Sequence, residues 1–414
     1  MSDFLKRCRI HPRNREKSGE FPIAATPTLP TNMFAANSCV YAANYQARTL
    51  CSQKASHEKH RFLIGTCCVN ETNELSVLEY HENSNQIEAA AVYNHPDQIW
   101  SMEPSPSELD RVLTSHQSTG GRTAVSLWRM PHQTEEDLES GVTIEDKLEL
   151  NQEATVVNAD QPSSVVQSLK WHPTKENQIL AADSQSVRVI SLADGRMETT
   201  SSYNYDINHN DDGNVMWNLT SGMVAWDPHT AAGCATARGT TLHLLDTRKM
   251  KSTQDIPHAH EGSIRDVEYN PNKPSIFVTC GDDRKVKFWD VRNLSSPIRT
   301  LAGHSHYAWC VRFNPFHDQL LLSGGSDNLV NLWRVASCSS APWIGADEST
   351  DGGSTGVDAS DPPDVKVRVI DQHEDSVYGV AWSPADAWMY CSLSYDGTVI
   401  LNHVPSTEKY KILL

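Results

Sequence analysis

No two of the ten cysteines (Cys8, Cys39, Cys51, Cys67, Cys68, Cys234, Cys280, Cys310, Cys338 and Cys391) stand at CxxC spacing, so neither a zinc ribbon nor a dithiol redox motif is present. Nowhere does an apolar run reach the length of a membrane span. The opening MSDFLKRCRIHPRNREK is basic but is followed by no apolar core of a secretory signal, which points to a reducing, cytosolic setting. There is no P-loop, GxGxxG, HExxH or EF-hand loop, and the 18 histidines lack ligand spacing. Neither a metal site nor a cofactor is therefore expected. Basic residues are also short: 35 Lys and Arg stand against 52 Asp and Glu, a net charge of −17. Such a surface repels nucleic acid and anionic lipid, and its plain role is solubility. Helical periodicity is missing as well. With 38 % hydrophobic residues, 11 Trp and a mean hydropathy of −0.49, the chain nonetheless has ample material for a folded core.

What is present is a repeat. NHPDQIWSMEPSP from Asn94, AHEGSIRDVEYNP from Ala259, GHSHYAWCVRFNP from Gly303 and QHEDSVYGVAWSP from Gln372 align without gaps. In each, a histidine (His95, His260, His304, His373) precedes a proline (Pro106, Pro271, Pro315, Pro384) by eleven residues. SLKWHP ending at Pro173 and MVAWDP ending at Pro228 keep the second half. Prolines 228, 271 and 315 lie 43 and 44 residues apart, the period of WD repeats. After each proline comes an apolar run, a tight turn and another strand, as in SIFVTCGDDRKVKFWD, LLLSGGSDNLVNLW and MYCSLSYDGTVILN. Weaker strand pairs are read at 61–66 and 74–80 with 41–50 before them, at 109–115 and 123–129, at 178–182 and 187–192, and at 233–237 and 241–246.

The prediction is an all-β, seven-bladed WD-repeat β-propeller over 38–414. Residues 1–37 read as a basic, disordered tail, 132–146 as an acidic stretch between blades, and 337–364 as a disordered acidic insertion in the sixth blade, free of Lys and Arg.

His, hydroxyl and carboxylate recur together, which superficially suggests a catalytic triad. The recurrence argues against one, since a catalytic site needs a single copy. His260, Thr279, Asp283 and Trp289 return as His304, Ser323, Asp327 and Trp333, and again as His373, Ser392 and Asp396 with Asn402 in the tryptophan place. This set resembles the structural tetrad of WD repeats, which satisfies buried polar groups where strands meet. No catalytic residue is assigned. Five residues after each recurrent histidine stands Trp100, Arg265, Trp309 or Tyr378. That register opens the innermost strand, at one rim of the central channel, and these are the residue types of interface hot spots. The plainer alternative is packing between blades. The turn residues Asp282, Ser326 and Tyr395 are expected on the same face.

NPNKPSIFVTCGDDRKVKFWDVRN, HSHYAWCVRFNPFHDQLLLSGGSD, HEDSVYGVAWSPADAWMYCSLSYDG, QIWSMEPSP, SLWRMP and the terminal KYKILL resemble the family of EARP and GARP complex-interacting WD-repeat proteins. The resemblance runs from about Tyr41 to Leu414 and is weakest between about Glu135 and Asn214. It implies a monomeric, non-enzymatic adaptor that binds protein subunits of the EARP and GARP tethering complexes and reaches membranes only through them. It further implies association with endosomes and the trans-Golgi network, in support of endosomal recycling, endosome-to-Golgi retrograde traffic and dense-core vesicle maturation. The alternative is a chromatin-associated, histone-binding propeller, which shares the repeat grammar but is preceded by a long N-terminal helix not evident here.

Overall fold

Strands form where β-branched and aromatic residues cluster between turn formers, and they assemble into seven sheets, antiparallel but for one short parallel pair at the edge of blade 1. The structure, a computed structural model, describes residues 38–69, 72–118, 120–131, 147–157, 164–205, 222–341 and 364–413. The chain divides into Met1–Ala35 and Ala36–Leu414, and every described residue belongs to the second unit. The expected basic tail 1–37 and the acidic stretch 132–146 lie outside the described residues.

Blade 1 comprises Ala47–Ser52, His60–Thr66, Asn73–His81 and Gln86–His95; blade 2, Gln98–Pro104, Arg111–Gln117, Thr123–Arg129 and Asn151–Val157. Blade 3 comprises Ser168–Trp171, Gln178–Ala182, Ser186–Ala193 and Arg196–Asn204; blade 4, Met223–Trp226, Gly233–Arg238, Thr241–Asp246 and Lys251–Ile256. Blade 5 comprises Ile264–Tyr269, Ile276–Gly281, Lys285–Asp290 and Arg299–Ala302; blade 6, Ala308–Phe313, Leu320–Gly325, Val330–Val335 and Asp364–Ile370. Blade 7 takes Val377–Trp382, Met389–Ser394 and Thr398–His403, and its outer strand is Cys39–Ala42. The first strand of every blade touches the first strands of both neighbours, so these seven strands line a closed ring.

There is no single central core. Seven apolar clusters occupy the seven seams, one between each pair of adjacent blades. A middle strand thus faces a neighbour on both sides, and Ile276–Gly281, Leu320–Gly325 and Met389–Ser394 are buried along their whole length. For that reason they read as unbroken apolar runs and not as alternation. Phe62, Ile64 and Leu78 of blade 1 meet Met389, Leu393 and Leu401 of blade 7 and close the ring.

Several boundaries differ from the sequence reading. The expected strand 41–50 is two pieces: Cys39–Ala42 completes blade 7, and Ala47–Ser52 opens blade 1. The strand read at 109–115 is Arg111–Gln117. A short strand, Leu148–Glu149, runs parallel to Gln86–His95 and adds a fifth strand to blade 1. Helix was not expected, yet the terminal residues form α1, Ser406–Leu413. Its Glu408 carboxylate accepts from buried Arg334 at 3.1 Å, which ties the helix to blade 6. The insertion 337–364 is also narrower than read. Ala336–Cys338 is a 3-10 turn, and buried Asp364 begins a strand while accepting from the Ser337 hydroxyl at 2.7 Å. Residues 342–363 lie outside the described residues.

Candidate functional site

The recurrent histidines sit between blade strands. His260 Nδ1 lies 2.8 Å from Asp283, its Nε2 2.7 Å from the Thr279 hydroxyl, and the Trp289 indole N–H donates to that hydroxyl at 2.9 Å. His304 Nδ1 is 3.0 Å from Asp327, Nε2 is 2.8 Å from Ser323, and Trp333 donates to Ser323 at 2.9 Å. The side chains of His260, Asp283, His304 and Asp327 are almost fully buried, and Thr279 and Ser323 are fully buried (0 % exposed), so neither hydroxyl is open to a substrate. The hydrogen bond from His260 and the charge of nearby Lys287 outweigh burial and hold the Asp283 carboxyl well below the usual carboxylate range.

The third copy departs from the expected set. His373 Nε2 contacts Ser392 at 2.7 Å, but its Nδ1 faces the Ser394 hydroxyl at 2.9 Å, and Ser394 donates onward to Asp396 at 2.6 Å. Asp396 therefore acts through a relay, not directly on the imidazole. Burial drives His373 down to about 4, so the ring is neutral at pH 7 and carries the one N–H this relay needs. A fourth set was missed. His95 Nε2 bonds Thr114 at 3.0 Å, Trp128 donates to Thr114 at 2.8 Å, and His116, 2.7 Å from Asp97, fills the space beside them. The spacing of nineteen from histidine to hydroxyl is the same in all four (95 to 114, 260 to 279, 304 to 323, 373 to 392), a signal that was available.

The four candidate interface residues share a backbone feature. The pairing of first and second strands skips at Arg265 in blade 5, Trp309 in blade 6, Tyr378 in blade 7 and Trp100 in blade 2. Each is the extra residue of a β-bulge, a device that re-aims a side chain. Blade 1 has the same skip at Arg48, which no upstream histidine marks and which sequence reasoning missed. Blades 3 and 4 pair their first two strands without one.

The bulges bring the side chains together around one mouth of the ring. The Arg48 guanidinium lies 5.0 Å from the Trp100 ring and 5.1 Å from that of Tyr378. Tyr378 and Trp309 centroids are 4.8 Å apart, and the Arg265 guanidinium sits 4.7 Å over Trp309. The result is an unbroken run through five blades: Trp100, Arg48, Tyr378, Trp309, Arg265. The turn residues join it from the same face. Asp282 receives Arg265 in two hydrogen bonds of 2.6 and 2.7 Å, Ser326 accepts the Trp309 indole N–H, and Tyr395 lies 5.7 Å from Tyr378. Trp100, Arg48, Tyr378 and Trp309 are half-buried, whereas Arg265 is buried beneath Trp309 and acts as its support.

Below the mouth the channel wall is charged. Lys54 meets Glu103 at 2.5 Å, Arg312 bonds Asp266, and Glu268 accepts the Phe313 N–H at 2.5 Å. Burial pushes Glu268 up to about 7, against the pull of Arg312. Burial, with the repulsion of Arg312, lowers Lys170. Among the described residues, no group of three or more His, Cys, Asp or Glu is placed to hold a metal ion, and no helix is long and apolar enough to cross a membrane.

The family model of the EIPR1 β-propeller matches residues 35–333, well over half of the chain. The chain belongs to this family. A WD domain, G-beta repeat model matches residues 364–401, the blade 7 region that carries Tyr378 and Tyr395. Human EARP and GARP complex-interacting protein 1 is 34 % identical over 91 % of this chain and 98 % of its own length. EARP-interacting protein 1 of Caenorhabditis elegans is 29 % identical over 90 % of this chain and 98 % of its own. WD repeat-containing protein DWA2 of Arabidopsis thaliana is 30 % identical over 88 % and 95 %. As a member of the EIPR1 propellers, a WD-repeat family of adaptor type, the chain carries four of its five bulge residues, Arg48, Trp100, Arg265 and Trp309, inside the span of the family match.

Proposed function

We propose that the chain is a non-enzymatic adaptor that binds subunits of EARP- and GARP-type tethering complexes, and that the mouth built by Trp100, Arg48, Tyr378 and Trp309 is its docking face. The observation that carries the docking assignment is the run of bulged side chains through five consecutive blades, presented half-exposed on one face. Large aromatic rings there bury area at low entropic cost. The relatives' names supply the partner, and the trafficking roles follow from it: placement on endosomes and the trans-Golgi network through the tether, and support of endosomal recycling, retrograde traffic and dense-core vesicle maturation. The propeller acts as a monomer in this reading.

Trp309→Ala with Tyr378→Ala tests the face. Hot-spot truncations cost about 2 kcal/mol or more, so capture of the purified tethering complexes should fall by about 30-fold with the fold intact. A folded double variant that captures every subunit at wild-type yield would move the contact to the blade sides or the opposite face.

A further inference from the structure

At the mouth, four of the five bulge residues have an assigned neighbour. The first residue after a blade's second strand donates its backbone N–H to the carbonyl two positions before the bulge: Asp282 to Ser263, Ser326 to Tyr307, Tyr395 to Ser376 and Cys67 to Gln46. The same hydrogen bond thus sets four pairs side by side. In three of them the chemistry matches. Arg265 has the Asp282 carboxylate, the Trp309 N–H has the Ser326 hydroxyl, and Tyr378 has the Tyr395 ring. The fourth pair is Arg48 with Cys67, and a thiol gives a guanidinium no charge to meet. Burial pushes Cys67 up to about 11, so it stays neutral even beside an arginine.

Arg48 is held flat by the rings of Trp100 and Tyr378, and among the described residues it forms no hydrogen bond and no ion pair. Among the described residues the buried Trp100 indole N–H next to it also has no acceptor. One half of the mouth is internally satisfied, and the other half holds donors without acceptors. A buried donor such as the Trp100 N–H is rarely left so, and the half-buried arginine fork pre-set between two rings matches a planar carboxylate. We propose that Arg48 anchors an aspartate or glutamate side chain of the docked partner segment, which does for Arg48 what Asp282 does for Arg265. This rests on the docking reading above and names the chemistry of its partner. A lone guanidinium within a chain of net charge −17 suits a single carboxylate on a peptide better than an anionic membrane.

The test uses the full-length protein, recombinant tethering complexes, and an array of overlapping peptides covering their subunits. Arg48→Met keeps the stem packed on the rings and removes the charge. Cys67→Asp leaves Arg48 in place but gives it an internal carboxylate. Both should weaken binding about tenfold or more, the loss expected of a charge-assisted hydrogen bond. Bound peptides should contain Asp or Glu whose change to Asn or Gln costs the wild type about tenfold and costs Arg48→Met nothing further. Should Arg48→Met unfold, Cys67→Asp alone carries the test. Wild-type binding by a folded Cys67→Asp protein overturns the proposal, as does selection of peptides without acid, of phosphorylated peptides only, or of phosphatidylserine vesicles through Arg48. Glu71, four residues after Cys67 in sequence, lies outside the described residues. If Glu71→Gln lowers stability in the wild type but not beside Arg48→Met, the arginine already has its carboxylate and the proposal falls. Loss of binding in the Trp309/Tyr378 variant with wild-type binding by both Arg48→Met and Cys67→Asp overturns the acidic anchor while leaving the docking face standing. If that aromatic variant also binds fully, the docking face itself is lost.

Discussion

At the scale of single residues, position in the repeat does not fix energetic weight. Asp327 accepts from His304 at 3.0 Å and from the Ser305 N–H at 2.8 Å, and its side chain is almost fully buried. Asp396 is exposed and reaches its histidine only through Ser394, whose hydroxyl has a second acceptor in the Thr398 carbonyl at 3.3 Å. Asp327→Ala should therefore cost about 1.5–3 kcal/mol, because it leaves a buried imidazole N–H unpaired, and Asp396→Ala about 1 kcal/mol or less. Urea denaturation of the two variants measures the difference, and equal losses would show that the relay holds His373 as firmly as direct contact. The His-to-hydroxyl spacing made His260, His304 and His373 legible in the sequence. The relay was not, because Ser394 and Asp396 are both plausible partners until the side-chain torsions are known. His95 escaped for a related reason: its tryptophan, Trp128, follows Thr114 by fourteen residues where the other two copies have ten, and a second histidine, His116, sits beside the pair on Ser126.

At the scale of elements, strands with aromatic and β-branched runs were readable, and what bends or interrupts them was not. A bulge adds one residue to a strand without changing its composition, so nothing in Ala47-Arg48-Thr49 announces the skip that aims Arg48. The other four mouth residues were found because a histidine five positions upstream marks the register, and blade 1 lacks that histidine. The insertion in blade 6 illustrates the opposite error, in which composition extended a loop over residues that tertiary contacts order. Val335 pairs with Asp364, and Ser340 donates to Asp318 at 2.7 and 2.9 Å, so the chain on both sides of 342–363 is anchored to the blade. Replacing 342–363 by a Gly/Ser linker of about six residues, which reaches ~20 Å, should leave strand pairing intact. Closure entropy changes by only about 0.6 kcal/mol per doubling of length, so the melting temperature should stay level or rise slightly. A drop of more than a few degrees in differential scanning fluorimetry would show that the segment packs on the propeller.

For the whole molecule, the decisive feature is that the ring closes by a strand from the far end of the chain. The four main strands of each of blades 1 to 6 follow one another in chain order and pair as local hairpins, but blade 7 is complete only when Cys39–Ala42 pairs with Thr398–His403, matching Cys39 to Leu401 and Ala42 to Thr398. The Cys39 thiol also lies 3.0 Å from the Asn85 carbonyl of blade 1, and Asn85 accepts from the Tyr80 hydroxyl at 3.0 Å. The closing strand thus grips the neighbouring blade as well as its own. A sequence reading that sees 41–50 as one strand misses this, because composition does not show that the chain changes blades between Ala42 and Ala47. Two truncations separate the roles of the leading residues. A chain lacking 1–35 keeps the strand and should melt as the full-length protein does. A chain lacking 1–42 loses four paired residues, ~4 kcal/mol at about 1 kcal/mol per hydrogen bond, and bares the edge of Thr398–His403, where Val399 and Leu401 sit in the seam cluster. The shorter protein should melt lower, aggregate sooner and exchange the amides of 398–403 rapidly, while amides of blades 3 and 4, on the far side of the ring, keep most of their protection. If both truncations show the same slow exchange at 398–403, the apolar seam alone holds blade 7 shut and the pairing with Cys39–Ala42 adds little to closure.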